Sequence, residues 1–168
     1  MSASLYASTA AQFVRGLQNL SALLEKGAAW AKENGKSEEE VLNTRRADDM
    51  YPLARQVQIT SDMSKGAIAR LAGIAAPAME DTEATFAQLQ ERIAKTLHFI
   101  ESVKPQQLEG DESRPIVVKG KNFELNFTAH SYVTTFAVPN FYFHVTTAYN
   151  ILRHVGVKIG KSDFIGAI

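Results

Sequence analysis

Cysteine is absent from all 168 residues. That excludes disulfides, thiolate metal sites and a cysteine nucleophile. A charge excess is missing too, since 18 Lys and Arg balance 18 Asp and Glu, so no net field draws the chain to nucleic acid or an anionic membrane. No run approaches the ~20 apolar residues that cross a bilayer. The start, Met1-Ser2-Ala3-Ser4-Leu5-Tyr6, has no basic stretch leading into an apolar one, so no secretory signal is expected. There is no Ser-His-Asp pattern, phosphate-cradling glycine loop or dinucleotide fingerprint. The remainder, 45% apolar and 21% charged, is ordinary globular composition. It predicts one cytoplasmic domain over residues 1–168, large enough for its own core.

What is present is periodic. Tyr6, then Phe13 two turns on, then Leu17, Leu20, Leu24 and Ala28 in steps of three or four predict a first helix over about residues 5–32, ended by Asn34-Gly35. Trp30 near its end reads as a packing residue. Ser37-Glu38-Glu39-Glu40 fits a capping box and predicts a short helix through Val41 and Leu42. A second long helix carries Leu53, Val57, Thr60, Met63, Ala67 and Leu71 on its buried face. An aspartate of Asp48-Asp49 is expected to cap it, Pro52 to sit in its first turn and Gly73 to close it. Beyond the connector from Ile74 to Met79, Asp81, Thr82 and Glu83 are expected to cap a third helix with the stripe Phe86, Leu89, Ile93, Leu97 and Ile100. Pro105 limits it. His98, one place past that stripe, reads as a partly exposed surface histidine.

After a polar loop from Gln106 to Arg114 the period changes. Ile116-Val117-Val118, the turn Lys119-Gly120-Lys121-Asn122, and Phe123, Leu125 and Phe127 alternating with Glu124, Asn126 and Thr128 predict a β-hairpin. A lone hairpin is marginal in water, so its apolar face is expected to lie on the helices. Thr128 can cap a helical segment from about Ala129, in which Pro139 forces a kink or a restart. The last long helix runs from near Asn140 to Val155, with Gly156 placed to terminate it. The tail, ending Phe164-Ile165-Gly166-Ala167-Ile168, is apolar enough to dock on the body or on a second subunit.

The final helix carries the candidate chemistry. Asn140, His144, Thr147 and Ile151 share one face, and Asn140 and His144, four apart, point at one spot. Two histidines so spaced grip zinc from a helix, but here one position is an amide, a poor ligand for such metals. Asp49 or Asp48 can bring a carboxylate from the start of the second long helix, and Tyr51 beside them can donate a proton or a hydrogen bond. The competing reading makes His144 a buried histidine held by a hydrogen bond, Asp49 a cap, and Asn140 a partner for backbone at the kink. His130, near the hairpin exit, either lines a pocket mouth or lies on the surface. His154, beside Arg153 in the last turn, complements the helix dipole.

The run from His144 through Leu152-Arg153 to Gly156 resembles the last-helix signature of the DinB-like superfamily, with arginine nine residues and glycine twelve residues after the histidine. Four further stretches are similar to an uncharacterised branch of it, a domain family of unknown function. They are Ser4-Leu5-Tyr6, the run from Asp49-Met50-Tyr51-Pro52 to Val57, Pro139-Asn140-Phe141-Tyr142-Phe143-His144 and Gly160-Lys161-Ser162-Asp163-Phe164, and together they span nearly the whole chain. The resemblance implies a four-helix bundle with a metal-centred pocket between helices, often in a homodimer. Its relatives include thiol-cofactor-dependent transferases and isomerases. Metal-binding relatives use three histidines, one on the second helix and two on the fourth. Here only the second of the last pair is present, as His144. Asn140 stands four residues earlier, and Asp49 is the nearest candidate for the second-helix ligand.

The expected architecture is an all-α, up-and-down four-helix bundle with a small β-hairpin before the last helix. Three functions fit it. The first, preferred, is a small-molecule-binding bundle with a degenerate metal site. In it His144 is a general base or single metal ligand, Asp49 orients it and Tyr51 is a further donor, with Asn140, Thr147 and His130 on the substrate side. The second is a metal-dependent transferase or isomerase, with Asp49, Asn140 and His144 around a divalent ion such as zinc or nickel, and this metal is not favoured. The third is a non-catalytic dimeric protein whose polar cluster fixes helix register. The expected partners are a small molecule and a second copy in a homodimer, with no nucleic acid and no membrane.

Overall fold

The structure is a computed structural model and describes residues 4–167. The first apolar stripe forms two helices rather than one, α1 (Leu5–Ser8) and α2 (Ala10–Glu33). Thr9 divides them. Its φ of −131° and ψ of −80° leave the helical region, and its buried hydroxyl donates to the Leu5 carbonyl at 2.5 Å. A threonine hydroxyl can replace a backbone donor in this way, which lets the helix break without an unpaired group. Phe13, Leu17, Leu20 and Leu24 are buried as the stripe predicts.

The Ser37–Glu40 capping box opens α3 (Glu38–Leu42). Pro52, not an aspartate, stands at the cap of α4 (Leu53–Ala72), with Asp48 and Asp49 in the preceding turn. Proline needs no partner for a missing N–H there, and its φ of −72° is pre-set by the ring. In the same way Thr85, rather than the Asp81–Glu83 run, caps α5 (Phe86–Ser102) by accepting from the Gln88 N–H at 3.2 Å. The acidic residues are drawn instead to a buried arginine described below. A short α6 (Pro105–Leu108) follows.

Strands β1 (Pro115–Lys119) and β2 (Glu124–Thr128) form the antiparallel hairpin, Ile116 opposite Phe127 and Val118 opposite Leu125. Ile116 and Val118 are buried, whereas β2 stays largely exposed. In β2, Phe127 packs on Tyr132 and Phe136 with ring centroids 5.7 and 5.4 Å apart, so the expected docking on the helices holds for β1 and for the Phe127 end of β2.

Thr128 and Ser131 cap α7 (Ala129–Tyr132). The helix does not restart at Pro139. A π-helical turn over Val133–Ala137 joins α7 to α8 (Val138–Val155), with helical backbone angles at both junctions. The wider turn absorbs the N–H that Pro139 lacks. Gly156, at a φ of 113°, ends α8. Then α9 (Lys161–Ile165) docks on α2: Lys26 pairs with Asp163 at 2.5 Å, and the Asn19 amide donates to the Phe164 and Ile165 carbonyls at 3.0 and 2.9 Å.

The four long helices form the all-α bundle that the periodicity predicts. They close a ring in the order α2, α5, α4, α8, so α2 and α4 face each other across it. The long connection of residues 34–52 makes that crossing. Phe13 of α2 meets Phe141 of α8 with ring centroids 4.7 Å apart, and burying such a ring is worth about 1.5–3 kcal/mol. Among the described residues no helix is long and apolar enough to cross a membrane.

Candidate functional site

His144 lies on the inner face of α8 and is only 9% exposed. Its Nδ1 is 2.7 Å from Oε1 of Gln56 on α4. The Nε2 of Gln56 donates to the Tyr51 carbonyl at 2.9 Å. The second contact decides the first. A carbonyl only accepts, so the amide turns its NH2 to Tyr51 and its oxygen to His144, and Nδ1 carries the ring proton. In the neutral ring Nε2 is left with its lone pair. That nitrogen has no hydrogen bond among the described residues and is not a buried unpaired atom, so it meets solvent. Burial holds the pKa of His144 below the ordinary imidazole value, and the Arg55 guanidinium adds to the effect. A neutral ring with one open lone pair is a hydrogen-bond acceptor and a base.

Two exposed aromatic rings flank this arrangement. Phe143 meets His144 edge-on at 5.1 Å, and Arg55 lies 5.8 Å over the Tyr51 ring; both aromatics are 57% exposed. Thr147 is buried one turn along, but its hydroxyl donates to the Phe143 carbonyl at 2.7 Å. Asn140, one turn earlier, is half-buried, and its amide makes no hydrogen bond with the described residues.

The other sequence candidates lie differently. Asp49 is exposed, neither caps α4 nor bonds to His144, and Gln56 holds the orienting position assigned to that carboxylate. Tyr51 takes part through its carbonyl rather than its phenol. His130 is exposed at the start of α7, its Nδ1 3.4 Å from the Glu112 carboxylate. A signal for Gln56 exists in the sequence, because it stands three after Leu53 and four before Thr60, on the buried stripe of α4.

Sequence reasoning also passes over Arg92, a charge between Leu89 and Thr96 on the buried stripe of α5. It is 2% exposed. Its guanidinium reaches Glu83 at 2.9 Å, Asp62 at 2.8 Å, Asp81 at 3.0 Å and the Glu80 carbonyl at 3.0 Å. Lys65, also buried, pairs with Asp62 at 2.7 Å, and Arg55 closes onto Asp81. Burial works against the charge of Arg92, but Glu83, Asp62 and Asp81 together raise its pKa. A cleft of about 360 Å³ opens beside it, lined by Met79, Glu83, Glu91 and Lys95 among others, and His144 is not part of that lining.

A family model described as "Domain of unknown function (DUF1993)" matches residues 5–165. The chain belongs to that family. A solved DinB family member protein from Shewanella denitrificans is similar to it at 38% identity and a TM-score of 0.88, over 98% of this chain and 93% of that one. No curated protein matches. In this DUF1993 chain the DinB-like bundle is thus shown, and the metal that the likeness implies can be tested on the donors. His144 offers one nitrogen, because Gln56 occupies the other. Gln56 and Asn140 are amides, Thr147 spends its hydrogen on backbone, and Asp49 is on the surface. Among the described residues no group of three or more His, Asp or Glu is placed to hold an ion. One imidazole among amides is a poor set for zinc or nickel, and the residues do not fit the metal.

Proposed function

We propose that this chain is a small-molecule-binding bundle in which His144 works without a metal, as a neutral hydrogen-bond acceptor or general base. The observation that carries the reading is the relay from the Tyr51 carbonyl through Gln56 to His144 Nδ1. A base must be oriented through one nitrogen to act at the other. Gln56 does this as an amide. Unlike a carboxylate it adds no negative charge to stabilise imidazolium, so His144 accepts a hydrogen bond more readily than a full proton at neutral pH. The ligand this favours presents a hydroxyl, amine or amide N–H to Nε2 and an apolar portion to Phe143 and Tyr51, with the Asn140 amide one turn away.

The test is a thermal-shift screen of donor-bearing aromatic fragments, with elemental analysis of protein purified without a histidine tag or chelator. Wild type and His144→Ala are compared. Support is a fragment that raises the wild-type midpoint by several degrees and leaves His144→Ala unmoved, with no stoichiometric metal in either. About one transition-metal ion per wild-type chain, lost in the variant, would overturn the metal-free reading. A fragment shift that survives His144→Ala would remove the histidine from it.

A further inference from the structure

The hairpin leaves an edge whose hydrogen-bonding groups can be counted. Gly120 N–H donates to the Phe123 carbonyl and Ala129 N–H to the Arg114 carbonyl, each at 2.9 Å. With the register of the strands, these bonds fix the alternation, so that Val118–Leu125 and Ile116–Phe127 are the hydrogen-bonded pairs. The backbone groups of Glu124, Asn126 and Thr128 therefore point away from β1. Among the described residues the sheet has two strands, so nothing pairs with that edge. Thr128 N–H is already taken by Ser131 Oγ at 2.9 Å. What remains free are the donors and acceptors of Glu124 and Asn126.

We propose that this edge of β2 pairs with the same edge of a second copy of the chain, giving a four-stranded antiparallel sheet about a twofold axis at Leu125. Besides the register that sets Glu124 against its own copy, where like charges meet, two would bring outward-pointing groups face to face. One sets Asn126 against itself and Glu124 against Thr128, and it calls on the Thr128 N–H that Ser131 occupies. The other sets Glu124 against Asn126 of the second copy and uses every free group on both strands. In that register no like charges meet. Leu125 faces its own copy, and Phe123 faces Phe127 of the second copy. Phe123 and Leu125 are 54% and 38% exposed in the single chain, so the pairing covers the apolar surface that β1 leaves bare. Strand β2 also lacks the proline or lysine that commonly blunts a free edge, and its one charge, Glu124, is engaged by Lys119 at 3.1 Å. Such an interface is isologous and closes at two.

Sedimentation of the full chain across a concentration series tests the pairing. The expected result is a dimer that Asn126→Pro converts to monomer. That proline removes an outward N–H and leaves the β1–β2 ladder whole. Because the chain has no cysteine, Leu125→Cys adds a single thiol, and across a non-hydrogen-bonded antiparallel pair it should oxidise to a covalent dimer. Asn126→Cys should not, since in this register Asn126 faces Glu124. A monomer at all concentrations overturns the proposal. So does a dimer in which Leu125→Cys fails to cross-link, and cross-linking at Asn126→Cys instead would overturn the register. These cross-links decide the matter even if Asn126→Pro does not fold.

Discussion

Nδ1 of His144 and Oε1 of Gln56 lie 2.7 Å apart, joining α8 to α4 between residues 88 apart in the chain. The bond satisfies two buried polar groups at once, and the carbonyl of Tyr51 fixes its polarity. A helix pair that needed only packing would place aliphatic side chains there. An oriented imidazole with its far nitrogen open serves a different purpose.

His144 should titrate below 6.5, the ordinary imidazole value. Burial is the larger cause and Arg55 the smaller, so Arg55→Gln should raise the pKa part of the way. NMR titration of the imidazole carbons measures both. With the folded pKa below the unfolded one, the unfolded chain binds more protons between the two values. This group's contribution is therefore complete above 6.5 and lost as pH falls from 6.5 through the folded pKa, which urea unfolding across that window should show against a His144→Ala reference.

Gln56→Glu should move the same pKa upward, since a carboxylate at Nδ1 favours imidazolium. Gln56→Met, close in volume, leaves the buried Nδ1–H without its acceptor and should cost about 1–3 kcal/mol in denaturant unfolding. An unchanged pKa in Gln56→Glu would mean that the two side chains are not bonded in solution.

Arg92→Met strips the countercharge from Asp62, Asp81 and Glu83. Removing one partner of a buried ion pair costs ~3–5 kcal/mol, and the partial exposure of Asp62 and Asp81 places this case at the lower end. Limited proteolysis should then cut first in residues 74–85, which Arg92 and Arg55 hold to the bundle. Protection of that connector in the variant would show that other contacts hold it.

Gly16→Ala would set its Cβ 2.5 Å from Cε1 of Phe141. Alanine gains about 1 kcal/mol of helix propensity over glycine, but overpacking typically costs ~1–3 kcal/mol, so a net loss of stability is expected. Phe141→Leu should relieve it, and a double-mutant cycle measures the coupling between the two sites.

Much of the bundle was legible because its stripes are regular: the four long helices, the hairpin and the Ser37 cap all follow from spacing. The errors share a cause. Asp49, Asp81 and Glu83 each stand where an acidic cap belongs, yet Pro52 and Thr85 take those places. For Asp81 and Glu83 the competing partner was Arg92, a buried charge that apolar periodicity cannot register. At the site, His144 and Thr147 were correctly placed on the inner face of α8. Its partner was not, because a glutamine on a buried stripe looks like a gap in the pattern until the facing helix is known. The break at Thr9 and the π turn before Pro139 were hidden for a similar reason, since each depends on where a single backbone hydrogen bond goes.

The most direct test is nitrogen NMR of the His144 ring at neutral pH, which distinguishes the two tautomers by their one-bond and two-bond proton couplings. The account predicts a proton on Nδ1, a bare Nε2, and a change in the Nδ1 signal in Gln56→Met. A ring protonated on Nε2 would contradict it, because the nitrogen offered to a ligand would then be a donor and the relay from Tyr51 would not exist.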